Sequence, residues 1–226
     1  MSGEQAINVE VPPEIVPLME SFGQFIMRCI NLRTFLRELE EHTGKLDRRV
    51  HLEIGKLRIR IPAFGLSAND KELLSRLKAG VEEQLADTGI VLLVSVLEYS
   101  LRDFCNAVKN WKNLKLSWSE LRGEPLERFK TYFQKVADIP MEISPAEWEE
   151  FQGLSTLRNA IVHNLGELRE EDKAKVQRLL NSNDGVSIEK NGIQTSLPFC
   201  HAMVDKTQRV FGQPLAKILE EQARRK

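Results

Sequence analysis

Apolar residues recur at spacings of three and four from Ile15 through Leu18, Met19, Phe22, Phe25, Ile26, Cys29, Leu32, Leu36 and Leu39. With Pro12-Pro13 ahead of them, this spacing predicts an opening helix, and His42-Thr43-Gly44 marks its expected end. The period then changes. Leu52, Ile54, Leu57, Ile59 and Ile61 alternate with polar residues around Gly55-Lys56, a pattern that predicts a small hairpin closed by Pro62. A long helix is expected from about residue 68 to about residue 110. It is apolar nearly all round between Ile90 and Leu97, as a central helix touched from several sides would be, and Gly80 and Gly89 are the points where it would bend.

The second half is punctuated more sharply. Ser117-Trp118-Ser119-Glu120 is a capping box, and Pro125 opens a helix carrying Leu126, Phe129, Tyr132, Phe133 and Val136. Ser144-Pro145-Ala146-Glu147 is a second capping box with proline at the first helical position. Its helix holds Trp148, Phe151, Leu154, Leu157, Ile161 and Leu165 until Gly166 stops it. A charged helix over 170–180 precedes two short alternating runs, 186–189 and 193–196, joined by Lys190-Asn191-Gly192 and read as a hairpin. Pro198 begins the last helix, which Pro214 is expected to kink. The expected fold class is all-α, an antiparallel helical bundle with one or two short β-hairpin insertions. Residues 1–68 are read as an N-terminal helix and hairpin packed on the bundle, and residues 69–226 as the helical domain itself.

Composition narrows the function classes. The 226 residues carry 32 Lys and Arg against 33 Asp and Glu, a net charge of −1, which excludes a generic nucleic-acid coat but not a local basic site. Arg48, Arg49, Arg58 and Arg60 make the first hairpin region basic, read either as a solvated face or as an RNA contact. The longest unbroken apolar run, 90–94, falls far short of the roughly 18 residues needed to cross a bilayer, so no membrane role is expected. The absence of a leader pattern and three scattered cysteines, Cys29, Cys105 and Cys200, point to a reduced, cytoplasmic setting.

No phosphate-cradling glycine loop, zinc-type ligand spacing or serine-nucleophile elbow is visible, and no cofactor or metal is expected. The candidate chemistry lies in Leu157-Arg158-Asn159-Ala160-Ile161-Val162-His163-Asn164. At about 100° per residue, Asn159 and His163 lie one turn apart on the same side, while Arg158 falls toward the apolar stripe. A guanidinium aimed there is costly unless a carboxylate, a partner subunit or a bound phosphate satisfies it. Glu98, a carboxylate directly after the apolar segment of the central helix, is read either as solvated or bonded to a neighbouring helix, or as the anchor of Arg158.

This stretch resembles the signature of the HEPN superfamily (higher eukaryotes and prokaryotes nucleotide-binding), in which an Arg, often followed by a polar residue, precedes a His by four to six residues. Residues 92–101 also look like the core helix of that family, and the likeness covers roughly residues 70–220. The resemblance implies a helical bundle acting as a metal-independent endoribonuclease in bacterial defence or toxin–antitoxin systems, and a homodimer that joins two motifs. It further implies Arg158, Asn159 and His163 as functional residues, RNA as substrate, and an antitoxin or regulatory protein as a further partner. The alternative is a catalytically inactive HEPN-like scaffold that binds a nucleotide or a protein. Some toxin members carry a modifiable Tyr two residues after the motif His, and this chain has Leu165 there.

Overall fold

Two helices of 45 residues each, α1 (Val16–Arg60) and α2 (Ala68–Lys112), form the frame of the computed structural model, which describes residues 13–60, 68–189 and 192–224. Four further helices follow among the described residues: α3 (Pro125–Thr131), α4 (Pro145–Asn164), α5 (Glu170–Ser182) and α6 (Leu197–Arg224). A π-helical turn over Tyr132–Val136 extends α3. Between α5 and α6, β1 (Val186–Glu189) and β2 (Gly192–Thr195) pair antiparallel, with Val186 opposite Thr195 and Ile188 opposite Ile193. The architecture is a helical bundle with one two-stranded sheet, in agreement with the all-α expectation.

Local chemistry explains where the elements start. Ser144 Oγ accepts from the Glu147 backbone N–H at 3.3 Å, and the Ser144 N–H donates to Glu147 Oε2 at 3.1 Å, so the expected capping box starts α4. The same bonds hold the Glu147 carboxyl below its ordinary pKa. At the other end, both Leu165 and Gly166 have positive φ, 53° and 83°, and both donate their N–H to the Ala160 carbonyl. Gly166 adopts this backbone freely, whereas the leucine does so at a cost of roughly 1–2 kcal/mol.

One continuous core joins α1 to the rest. Phe25, Cys29, Leu32 and Leu36 of α1 are buried together with Ile90, Leu93 and Leu97 of α2 and Phe211 of α6. Phe211 is the hub of an aromatic cluster, edge-on to Phe151 at 4.9 Å and to Trp148 at 5.9 Å, with Phe129 at 6.1 Å. A nearly buried ion pair, Lys206 to Glu150, adds a polar pin between α6 and α4. Gly89 leaves room for side chains of α1 and α6. A Cβ there would lie 2.9 Å from Leu36 Cδ2 and 3.1 Å from Cys200 Sγ, so this glycine packs instead of breaking α2.

The first hairpin expected from the sequence is absent. Residues 52–60 continue α1, and His42-Thr43-Gly44 lies inside the helix. Thr43 Oγ1 donates to the Leu39 carbonyl at 2.8 Å, a bond made within the helix, and a glycine costs only about 1 kcal/mol relative to alanine. With Val50, the alternating residues Ile54 and Leu57 also fit a helical spacing of four and three, and over the 45 residues of α1 the helical period wins. The described part of α1 ends at Arg60. Residues 61–67, with Pro62, lie outside the described residues, as do Lys190 and Asn191 in the expected second turn. α6 runs as one helical segment through Pro214.

Gly80–Lys112 of α2 is, among the described residues, long and apolar enough by composition to cross a membrane. Its buried face, Ala86, Ile90, Leu93, Val94, Leu97 and Leu101, is core of this bundle. Because Phe211 touches aromatic rings from two other helices, Phe211→Ala should destabilise the fold by about 3–5 kcal/mol, read from urea unfolding. An effect below 1 kcal/mol would show that the aromatic cluster does not hold α6 in place.

Candidate functional site

Asn159 and His163 emerge on the exposed side of α4, whose opposite side is fixed by Phe151, Leu154 and Leu157 in the core. Arg158 Nη2 donates to Glu98 Oε2 at 2.8 Å, joining α4 to α2 across the seam where both side chains are about four-fifths buried, 22% and 21% exposed. The guanidinium is thus met by the carboxylate singled out in the sequence. Its Nη1 also donates to Asn159 Oδ1 at 2.9 Å, so Arg158 bridges Glu98 and Asn159. The Arg158 Nε is buried with no hydrogen-bond partner among the described residues.

Burial pushes the Glu98 carboxyl above its ordinary pKa of 4.5, an effect that outweighs the opposing attraction of Arg158. Glu124 pushes it further up and Arg128 pulls it down, which places the start of α3 within electrostatic reach of the pair. Desolvation therefore governs this seam more than pairing does.

Asn159 and His163 are exposed and line a groove of about 720 Å³ between α4, α5 and the start of α3. Thr156 and Gln152 continue their stripe toward the α4 N-terminus. The opposite wall is α5, folded back on α4 so closely that a Cβ on Gly153 would meet the Lys175 carbonyl at 3.1 Å. Arg158 is not among the residues lining this groove. The expected clamp lies instead on the α2 side of the same helix.

The groove is mixed in charge. Arg169, Lys175 and Arg178 line it with Glu124, Glu127, Glu149 and Asp172. Lys175 pairs with Asp172 at 2.7 Å, and Arg178 pairs with Glu149. The α5 residues were not singled out in the sequence, because their place in the site depends on α5 returning along α4. A polar stripe of period three, Arg169, Asp172, Lys175 and Arg178, was the only local signal.

The other expected contacts, Arg48, Arg49, Arg58 and Arg60, lie on the last turns of α1, and their side chains are outside the described residues. Because this segment is helical, the hairpin expected to carry them is not formed. Another Arg and His with the same spacing, Arg37 and His42, lie in the middle of α1, where His42 Nδ1 contacts the Glu38 carbonyl at 2.8 Å.

Other reactive groups are muted. Burial pushes the Cys29 thiol up to about 11 and that of Cys200 to about 12, and Cys105 is raised further for the same reason, so none is a ready nucleophile at neutral pH. Among the described residues, no group of three or more His, Cys, Asp or Glu side chains is placed to hold a metal ion. The chain matches no protein-family model, no curated protein and no solved structure.

The Glu98–Arg158 seam makes a prediction with a sign. Because the carboxyl pKa is raised in the folded state, its favourable contribution is full below 4.5 and is lost as pH rises through the higher folded value. Glu98→Gln, which keeps an acceptor for Arg158 and removes the ionisation, should abolish that part of the pH dependence. Glu98→Ala leaves the guanidinium unmatched and should cost about 1–3 kcal/mol at neutral pH. Urea unfolding of wild type and both variants between about pH 4 and 7 reads both effects. Identical pH profiles for wild type and the Gln variant would refute the assignment.

Proposed function

We propose that this protein is a metal-independent endoribonuclease of the HEPN type, acting as a homodimer that cleaves RNA through attack by the ribose 2′-hydroxyl. The observation that carries this reading is the placement of His163 and Asn159 on one wall of a groove, with Arg158 bonded directly to Asn159. Histidine titrates near neutral pH and can take a proton from the 2′-hydroxyl or give one to the leaving 5′-oxygen. Asn159, held through its carbonyl oxygen by Arg158, keeps its amide N–H groups for a phosphate oxygen. Arg158, on the α2 side of the helix and outside the groove lining, acts by holding that amide in place. The setting proposed is cytoplasmic, in bacterial defence or a toxin–antitoxin pair, with an antitoxin or regulatory protein as partner.

Dimerisation is proposed because each chain brings a single histidine to the groove, while the reaction moves two protons. A two-fold contact between motif helices supplies a second His163. Val162, 48% exposed, and Leu165, 97% exposed, are apolar residues beside His163 that such a contact would cover. A nucleotide- or protein-binding bundle without catalysis is favoured by one observation: Lys175 and Arg178 in the groove and Arg158 in the seam already have carboxylate partners.

RNA incubated with the protein in excess EDTA should be cut to fragments ending in 2′,3′-cyclic phosphate. His163→Ala and Arg158→Ala should each lower the rate by about 10²–10⁴-fold with the far-ultraviolet dichroism unchanged. Cleavage that needs added Mg²⁺, or that survives in His163→Ala, would sink the proposal in favour of the binding bundle. For the composite site, Val162→Glu should yield monomers by light scattering and remove the activity while the melting temperature holds. A wild-type monomer with full activity would refute it.

A further inference from the structure

The expected clamp Arg158 is bound to Glu98 and lies off the groove, which leaves open which cation seats the phosphate. Three cations line the groove, and two are neutralised at close range, Lys175 by Asp172 at 2.7 Å and Arg178 by Glu149. Arg169 is the third. Its ion pair, to Glu171, spans 3.9 Å between side chains that are 65% and 74% exposed, a contact of little worth in water.

Its backbone, by contrast, is well fixed. The preceding Leu168 is 4% exposed, Glu167 bridges to Gly192, and the Ile193 N–H donates to the Gly166 carbonyl at 2.9 Å. On its other side α5 begins at Glu170. Arg169 therefore combines a held main chain with a free guanidinium, five residues after Asn164 at the His163 end of the groove. Glu124 and Glu127, at the start of α3, pair with no cation among the described residues and repel an anion from their wall.

We propose that Arg169 is the phosphate-binding residue of the groove, clamping through its two-pronged guanidinium the phosphodiester of a single-stranded RNA next to His163. The inference rests on the ribonuclease reading for its choice of ligand, but not on catalysis. A short, fluorescein-labelled 2′-O-methyl RNA cannot be cut by 2′-hydroxyl attack and therefore reports binding alone, by anisotropy across a salt series.

Arg169→Ala should weaken binding by about tenfold and lower the slope of log affinity against log salt by about one. Arg169→Lys, which keeps the charge and loses the fork, should restore the slope but not the full affinity. Arg178→Ala should change affinity less than Arg169→Ala, because its charge is already spent on Glu149. Unchanged affinity and slope in Arg169→Ala, within about twofold, would overturn the proposal, and so would wild-type protein that binds no RNA at all. The two readings separate cleanly. Loss of binding in Arg169→Ala with a wild type that never cleaves RNA keeps the phosphate seat and removes the ribonuclease. Cleavage by Arg169→Ala at the wild-type kcat and KM removes the seat and keeps the ribonuclease.

Discussion

A guanidinium cannot shed its charge, so Arg158 brings a permanent cation into the seam between two packed helices and the seam has to answer it. Glu98 supplies the answer from α2, and Asn159 supplies a second acceptor from α4 itself. The consequence is a chain of orientation. The core fixes α2, α2 presents Glu98, Glu98 fixes Arg158, and Arg158 fixes the amide that faces the groove. Burial raises the Glu98 carboxyl even against that cation, so the pair is held in place by packing and would not assemble for its own sake.

That arrangement divides labour along one helix. The α2 side of α4 handles charge compensation, and the α5 side holds exposed, hydrogen-bonding residues beside a space of about 720 Å³. A site built only from strong cations would bind any polyanion tightly and release it slowly. Here most of the positive charge in the groove is matched locally by Glu149 and Asp172. The groove cation without a close carboxylate partner, Arg169, sits at the end near His163.

Features written into a few adjacent residues were legible in the sequence. The capping box at Ser144, the proline start at Pro125 and the Asn191-Gly192 turn signal each depend on neighbours within four positions, and the elements they announce are present. The carboxylate partner of Arg158 was legible for a different reason: a buried charge demands a counter-charge, and Glu98 interrupts the apolar run of the central helix. The distal half of α1 was misread because its apolar residues satisfy periods of two and of 3.6 at once, and a local reading has no means to choose. Length and context chose. Arg169 was missed because nothing about an arginine at the start of a charged helix marks it. Its position matters only once α5 lies back on α4 and β2 anchors the link between them.

The first helix is also the last to be completed. Arg33 of α1 pairs with Asp205 of α6, and Gly212 of α6 lies against Phe25 and Ile26. The ion pair joins residues 172 positions apart. At about 5–20 residues per second on the ribosome, α1 waits on the order of ten to thirty seconds before α6 exists to cover it. Until then Phe25, Cys29 and Leu36 lack the α6 part of the core in which they end up buried. Closure of the bundle by α6 is therefore a late, nonlocal step, and the groove on α4 is framed before the molecule that carries it is finished.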